Sequence, residues 1–326
     1  MKKLISGIVF LTVAVCIFMF TPIPGFAEEV DKYPSRPISF VVPWPAGNPD
    51  DLAIRLLCRE AEKLLGQPIV VVNKPGAGGT IGAAAIASSK PDGYTIGFTP
   101  HSPMFLIPYL EQLPYNPVTD FQMIMQFGGM NFGVVVKSDS PYKNFKDLIE
   151  FARQNPKKVT YGTGGPNSLQ NIIIGQIAKK EKVEMTHIPF KAMSDAQPAL
   201  IGGHILFAAG NFNFSLFDSG VLRILMLLRE ERSVQYPDVP ALKEMGYDFP
   251  VPTILSVAGP KGLPDGVAKN LEDAFTKAMK EHAFVNGMEK DLRMPVAYRN
   301  SKDLDQYVKD THAAYGRILK DLGMIK

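Results

Sequence analysis

Short apolar runs alternate with helical stretches along this 326-residue chain, and corners rich in glycine and proline separate them. That rhythm predicts an α/β fold with parallel strands covered on both faces. The first unit shows why. Phe40, Val41 and Val42 form an aromatic and β-branched run, a strand signal. Pro43, Pro45, Gly47, Asn48 and Pro49 can continue neither a ladder nor a helix, so they make a loop. Asp50 or Asp51 then suits the N-cap of a helix running from Asp51 to about Leu65. Ile69–Val72 reads as a second strand, and Thr80 as the cap of a helix over Ile81–Ser88. Tyr94–Phe98 reads as a third strand after the turn Pro91-Asp92-Gly93.

A second unit follows. Phe121–Phe127 and Phe132–Lys137 read as strands around Gly128-Gly129, and Asn144–Gln154 as a helix. Val159–Tyr161 is a strand that runs into Gly162-Thr163-Gly164-Gly165-Pro166-Asn167-Ser168, and Leu169–Lys179 is a helix. Strands at Met185–Ile188, Ile205–Ala209 and Leu222–Leu228, with a helix at Ser194–Ile201, continue the alternation. A short helix at Ala241–Glu244 and a strand at Thr253–Ala258 lead to two amphipathic helices, Asp265–Glu281 and Ser301–Leu322.

The amino-terminal stretch predicts a signal peptide over residues 1–27. Lys2 and Lys3 precede an uncharged apolar run from Leu4 to Phe20, and Gly25-Phe26-Ala27 offers a small-residue cleavage site. Its removal would lower the formal net charge from +3 to +1, because the segment carries two lysines and no acid. A nearly neutral chain has no electrostatic footprint for nucleic acid. Cys58 would remain as a lone thiol, so no internal disulfide is expected.

Catalytic and cofactor motifs are weak. The glycines at 76, 78, 79 and 82 follow a strand, but Ile81 stands where a dinucleotide fingerprint needs glycine. They read instead as a loop that lets helix and sheet pack closely or that lines a different ligand. No glycine is followed by lysine, which excludes the nucleotide P-loop, and the five histidines show no metal-ligand spacing. No cofactor, metal or catalytic residue is therefore predicted, and a binding protein is expected rather than an enzyme. The stronger signal is a pair of strand–loop–helix corners, Phe40–Asp51 and Tyr161–Ser168. Each points backbone N–H groups and the positive end of a helix dipole at one spot. The second adds the hydroxyls of Thr163 and Ser168. Such groups suit a carboxylate, which only accepts hydrogen bonds.

The motifs in order carry a family resemblance. Tyr33-Pro34-Ser35-Arg36-Pro37-Ile38 precedes Val41-Val42-Pro43-Trp44, and Val70-Val71-Val72-Asn73-Lys74-Pro75-Gly76-Ala77-Gly78-Gly79 precedes Pro91-Asp92-Gly93-Tyr94-Thr95. Tyr161-Gly162-Thr163-Gly164-Gly165, His187-Ile188-Pro189-Phe190-Lys191, Gly202-Gly203-His204 and Pro237-Asp238-Val239-Pro240 follow. With these the chain resembles the extracytoplasmic solute receptors of tripartite tricarboxylate transporters, the TctC or Bug family. The resemblance implies a type II periplasmic-binding-protein fold: two Rossmann-like lobes joined by crossover hinge strands, residues 33–127 plus 250–326 and residues 128–249. It implies a periplasmic, monomeric receptor that captures a small organic carboxylate and delivers it to large and small membrane permease subunits. A carboxylate-sensing receptor and a secreted enzyme of the same fold are the alternatives.

The resemblance also assigns candidate ligand-binding residues. Trp44, Ala46, Gly47 and Asp51 fall on the motif of the first lobe, with Asn48 and Pro49 where glycines are usual. Thr163, Gly164, Gly165 and Ser168 fall on that of the second, with Asn167 in place of another glycine. Thr99 and His101 follow the third strand and are expected to line the cleft. Asp195 falls in the segment after Lys191 and is a further candidate. Asp51 has two readings, as a helix cap or as a ligand contact.

Overall fold

The computed structural model describes residues 33–191, 193–211 and 215–326, so the predicted signal peptide lies outside the described residues. In chain order the first elements are β1 (Ile38–Val42), α1 (Pro49–Leu65), β2 (Ile69–Asn73), α2 (Thr80–Ala87), β3 (Thr95–Gly97), α3 (Ile107–Leu110) and β4 (Phe121–Gly129). Next come β5 (Gly133–Lys137), α4 (Phe145–Gln154), β6 (Val159–Thr163), α5 (Leu169–Glu181), β7 (Met185–Pro189), α6 (Met193–Ile201), β8 (Phe207–Gly210), α7 (Ser215–Asp218) and β9 (Leu222–Leu227). The chain closes with β10 (Ile254–Pro260), α8 (Asp265–Ala278), α9 (His282–Asn286), β11 (Val296–Asn300) and α10 (Ser301–Asp321).

The strands form two open sheets, one in the order β11-β4-β10-β3-β1-β2 and one in the order β7-β6-β8-β5-β9. Neither is wholly parallel. β1 pairs in parallel with β2 and β3, whereas β10 runs antiparallel to β3 and β4. The antiparallel strands are those by which the chain leaves the first sheet and returns to it. β4 ends at Gly129, β5 opens the second sheet at Gly133, and β10 re-enters the first at Ile254. At the crossing, Met130 N donates to Thr253 O at 2.8 Å, which ties the outgoing and returning chain together. Asn131 sits there as a hub: its Nδ2 donates to Arg293 O at 2.8 Å, and its Oδ1 accepts from Arg229 Nη1 at 2.8 Å. This is the two-lobed type II arrangement.

Packing explains the local sequence. Phe40 is fully buried and meets Phe275 of α8 edge to face at 6.2 Å. On the first sheet's α2 side, a Cβ on Gly82 would lie 2.8 Å from the backbone Cα of Pro43, so only glycine lets α2 approach the β1 corner. The glycine-rich segment thus has a packing role, with no dinucleotide fingerprint needed to explain it.

Several local expectations change. Asn48, not Asp50 or Asp51, is the N-cap of α1, because Pro49 fits N1 and pulls the helix start forward. Gly79 precedes α2, and Thr80 Oγ1 donates to Ala77 O rather than capping the helix. The segment read as a helix at 241–244 is a 3-10 turn over Lys243–Met245. The helix read over 265–281 stops at Ala278, and β11 was not anticipated at all.

Candidate ligand-binding cleft

The first corner is held by a carboxylate clamp. Asn48 Oδ1 accepts from Asp51 N at 2.8 Å, and Asp51 Oδ2 reaches back past the cap to accept from Gly47 N at 2.8 Å. Gly47 has φ of +82°, a conformation that favours glycine. Asp51 Oδ2 also accepts from Arg55 Nε at 2.9 Å, and Oδ1 accepts from Asn73 Nδ2 at 2.8 Å. The same Asn73 amide donates to Trp44 O at 3.0 Å, so the end of β2 fixes both ends of the loop. Asp51 is fully buried. Burial alone would raise its carboxyl, but the bonds from Arg55, the Gly47 N–H and Asn73 together hold it below the usual carboxylate range. Asp51 therefore shapes the corner from beneath.

The second corner is held by a hydroxyl network. Thr163 Oγ1 donates to Gly165 O at 2.8 Å and faces His187 Nε2 at 2.8 Å, while Ser168 Oγ donates to it at 3.0 Å. With its own proton directed to Gly165, Thr163 accepts from both neighbours, which makes His187 the Nε2–H tautomer. Burial holds His187 below its usual pKa, in keeping with a neutral ring, and Tyr161 stacks on it at 4.9 Å. Ser168 caps α5 by accepting from Asn171 N at 3.3 Å. Both hydroxyl protons are thus engaged within the corner.

The two corners open on one cavity of about 690 Å³, a size suited to a small ligand. Trp44, Asn48, His101, Gly164, Gly165, Asn167 and Ser168 line it, as do Asp50, Glu111, Met130, Phe132, Gln170 and Lys191. Thr99, Asp51 and Thr163 lie beneath the surface, with Thr99 Oγ1 against Ser256 Oγ at 3.1 Å. Ala46 and Gly47 are exposed on the loop and Asp195 on the first turn of α6; none of the three lines the cavity. His101 meets Phe132 edge to face at 6.2 Å across the start of the crossing, and burial pushes its pKa down to about 4, so it is neutral near pH 7. Among the described residues, no group of three or more His, Cys, Asp or Glu side chains converges as a metal site would require.

Asp50 lines the cavity wall, a position the sequence reading did not include. Its Oδ1 is buried with no hydrogen-bond partner, and so is Trp44 Nε1. Burial pushes the Asp50 carboxyl up to about 7; nearby Trp44 favours the ionised form slightly. The two aspartates in the first turn of α1 thus have opposite environments.

Residues 53–324 match the family described as tripartite tricarboxylate transporter family receptor. The chain belongs to that family. The UPF0065 protein of the gbd 5′ region of Cupriavidus necator is 36% identical to this TctC-family chain over 299 residues, 91% of each protein. Protein BugT of Bordetella pertussis is 29% identical over 287 residues, 86% of this chain and 88% of BugT. A TctC solute-binding protein from Polaromonas has the same fold, with a TM-score of 0.78 and 28% identity over 89% of this chain and 99% of that one. Family and fold together support a solute-binding role for this TctC-family member.

Proposed function

We propose that the chain captures a small carboxylate between its lobes and presents it to the large and small membrane subunits of a tripartite transporter. The observation that carries this reading is the single cavity onto which the starts of α1 and α5 open, one from each sheet. Helix starts carry partial positive charge, and the α5 start adds backbone N–H groups, which suit an anion without a buried cation. Among the described residues, the polypeptide passes between the sheets through the Gly129–Gly133 and Val251–Ile254 regions, which suit a hinge. A ligand touching both walls would favour the closed state through contacts the open state lacks.

In this reading the lobes comprise residues 33–127 plus 250–326 and residues 128–249. Trp44, Asn48, His101, Gly164, Gly165, Asn167 and Ser168 touch ligand, and Asp51 and Thr163 position the loops. The leader is cleaved after Ala27 and the receptor works in the periplasm. Thermal unfolding with a panel of carboxylates tests the proposal. A ligand at 100 times its dissociation constant stabilises by about 2.7 kcal/mol, a readable upward shift. A panel in which no carboxylate shifts the transition overturns it.

A further inference from the structure

The two walls of the cleft differ in charge. On the second lobe, the α5 start and Lys191 line the cavity, and no acid lines that side among the described residues. On the first lobe, Pro49 at the first position of α1 has no N–H to offer, Asp50 follows it, and Glu111 lies on the same side. Asp50 Oδ1 is shut away from water without a partner. Leaving a buried acceptor unmatched is unfavourable, so such a group in a binding cleft calls for a partner from outside the chain.

We propose that the ligand is dipolar: its carboxylate faces the α5 wall, and a hydrogen-bond donor on the same molecule, an ammonium or a hydroxyl, is accepted by Asp50. This rests on the carboxylate-receptor reading above and narrows it to acids that carry a donor. A plain diacid would set a second carboxylate beside Asp50 and force one of the two to hold a proton. Burial, opposed in part by the Trp44 side chain, already brings Asp50 to about 7. A ligand ammonium would draw it into the ionised form, and a second carboxylate would push it further up.

Calorimetric titration of the mature protein at pH 7.5 tests this. The probes are unsubstituted mono- and dicarboxylates of three to eight carbons, with their 2- and terminal amino and hydroxy derivatives. The expected result is a tightest ligand that bears a donor and binds at least about 10-fold more tightly than its unsubstituted parent. The Asp50→Asn variant should tighten the parent and bring that ratio near one for an ammonium ligand. A hydroxyl ligand should keep part of its advantage, because the amide oxygen still accepts. The wild-type ranking stands as a test even if the variant fails to fold. A parent acid that binds as tightly as its derivatives, or a ratio that Asp50→Asn leaves intact, overturns the dipolar assignment alone. Binding of no probe at all overturns it together with the carboxylate-receptor reading.

Discussion

Replacing Asp51 by asparagine tests whether the first corner is built from beneath. The side chain is fully buried and accepts three hydrogen bonds: from Gly47 N at 2.8 Å, Arg55 Nε at 2.9 Å and Asn73 Nδ2 at 2.8 Å. An amide can keep one accepting oxygen. If that oxygen stays opposite Asn73, the new NH₂ group confronts the Gly47 and Arg55 donors, and both bonds are lost. Bonds to a charged group contribute roughly 1.5–3 kcal/mol each. Gly47 and Arg55 are exposed enough to recover water, which reduces the loss to about 2–4 kcal/mol in total. A chain of roughly 300 residues has an unfolding entropy of about 0.6 kcal/mol/K, so the melting temperature should fall by roughly 3–7 °C. The pH dependence adds a second check. A carboxyl held below its usual range contributes stability that is present above its unfolded value, near pH 4, and is lost as pH falls through the folded value. The gap between wild type and Asp51→Asn should therefore persist at pH 7 and close only in acid. Melting followed by circular dichroism at pH 7, 5 and 3.5 reads both effects. A gap under 1 °C at pH 7, or one of equal size at pH 3.5, would refute the clamp.

Asp50→Asn should act in the opposite sense. Its carboxyl is raised from 3.8 to about 7, so stability is fully present below the unfolded value and lost as pH rises through 7; the upper limit of that loss is about 4 kcal/mol. The variant should melt above wild type at pH 8 and together with it at pH 4, which a pH series of melts would show. Thr163→Val should destabilise by about 1–3 kcal/mol, because the buried hydroxyl accepts from Ser168 and His187, and should weaken ligand binding by loosening the second corner. Thr163→Ser should restore most of both in urea denaturation and ligand titration.

The fold was legible where burial is two-sided. Phe40 and Val41, on opposite faces of β1, are both buried, and such an apolar run cannot be mistaken for a loop. β11 was illegible because Val296–Asn300 is an edge strand of half-exposed, mixed residues, and only its pairing with β4 reveals it. The antiparallel course of β10 was hidden for a related reason: the apolar pattern of a central strand is the same in either direction. The cleft was legible in its loops, whose glycines and small polar residues mark strand ends. The contributions of Met130 and Phe132 were not, because a crossing segment reads as core until the two sheets are placed beside each other.

Asp50 and Asp51 show where sequence reading stops and what decides beyond it. Both are acids in the first turn of one helix, and the helix dipole favours a negative charge at either position. What separates them is tertiary. Asn73, at the end of β2, reaches Asp51 Oδ1, and Arg55, one turn along, reaches Oδ2; neither bonds to Asp50. The difference should be transferable by mutation. Asn73→Ala removes the donor to Asp51 Oδ1 and the donor to Trp44 O, leaving one oxygen of Asp51 as unmatched as Oδ1 of Asp50. The Asp51 carboxyl should then titrate higher, the acid-unfolding midpoint should move upward, and ligand binding should weaken as the Trp44 loop loosens. Carboxyl carbon-13 resonances followed through a pH titration measure the first effect for both aspartates in one sample. If Asp51 titrates unchanged in Asn73→Ala, the bonds from Gly47 and Arg55 suffice by themselves. The contrast between the two neighbours would then come from depth in the cleft wall rather than from the partner that β2 supplies.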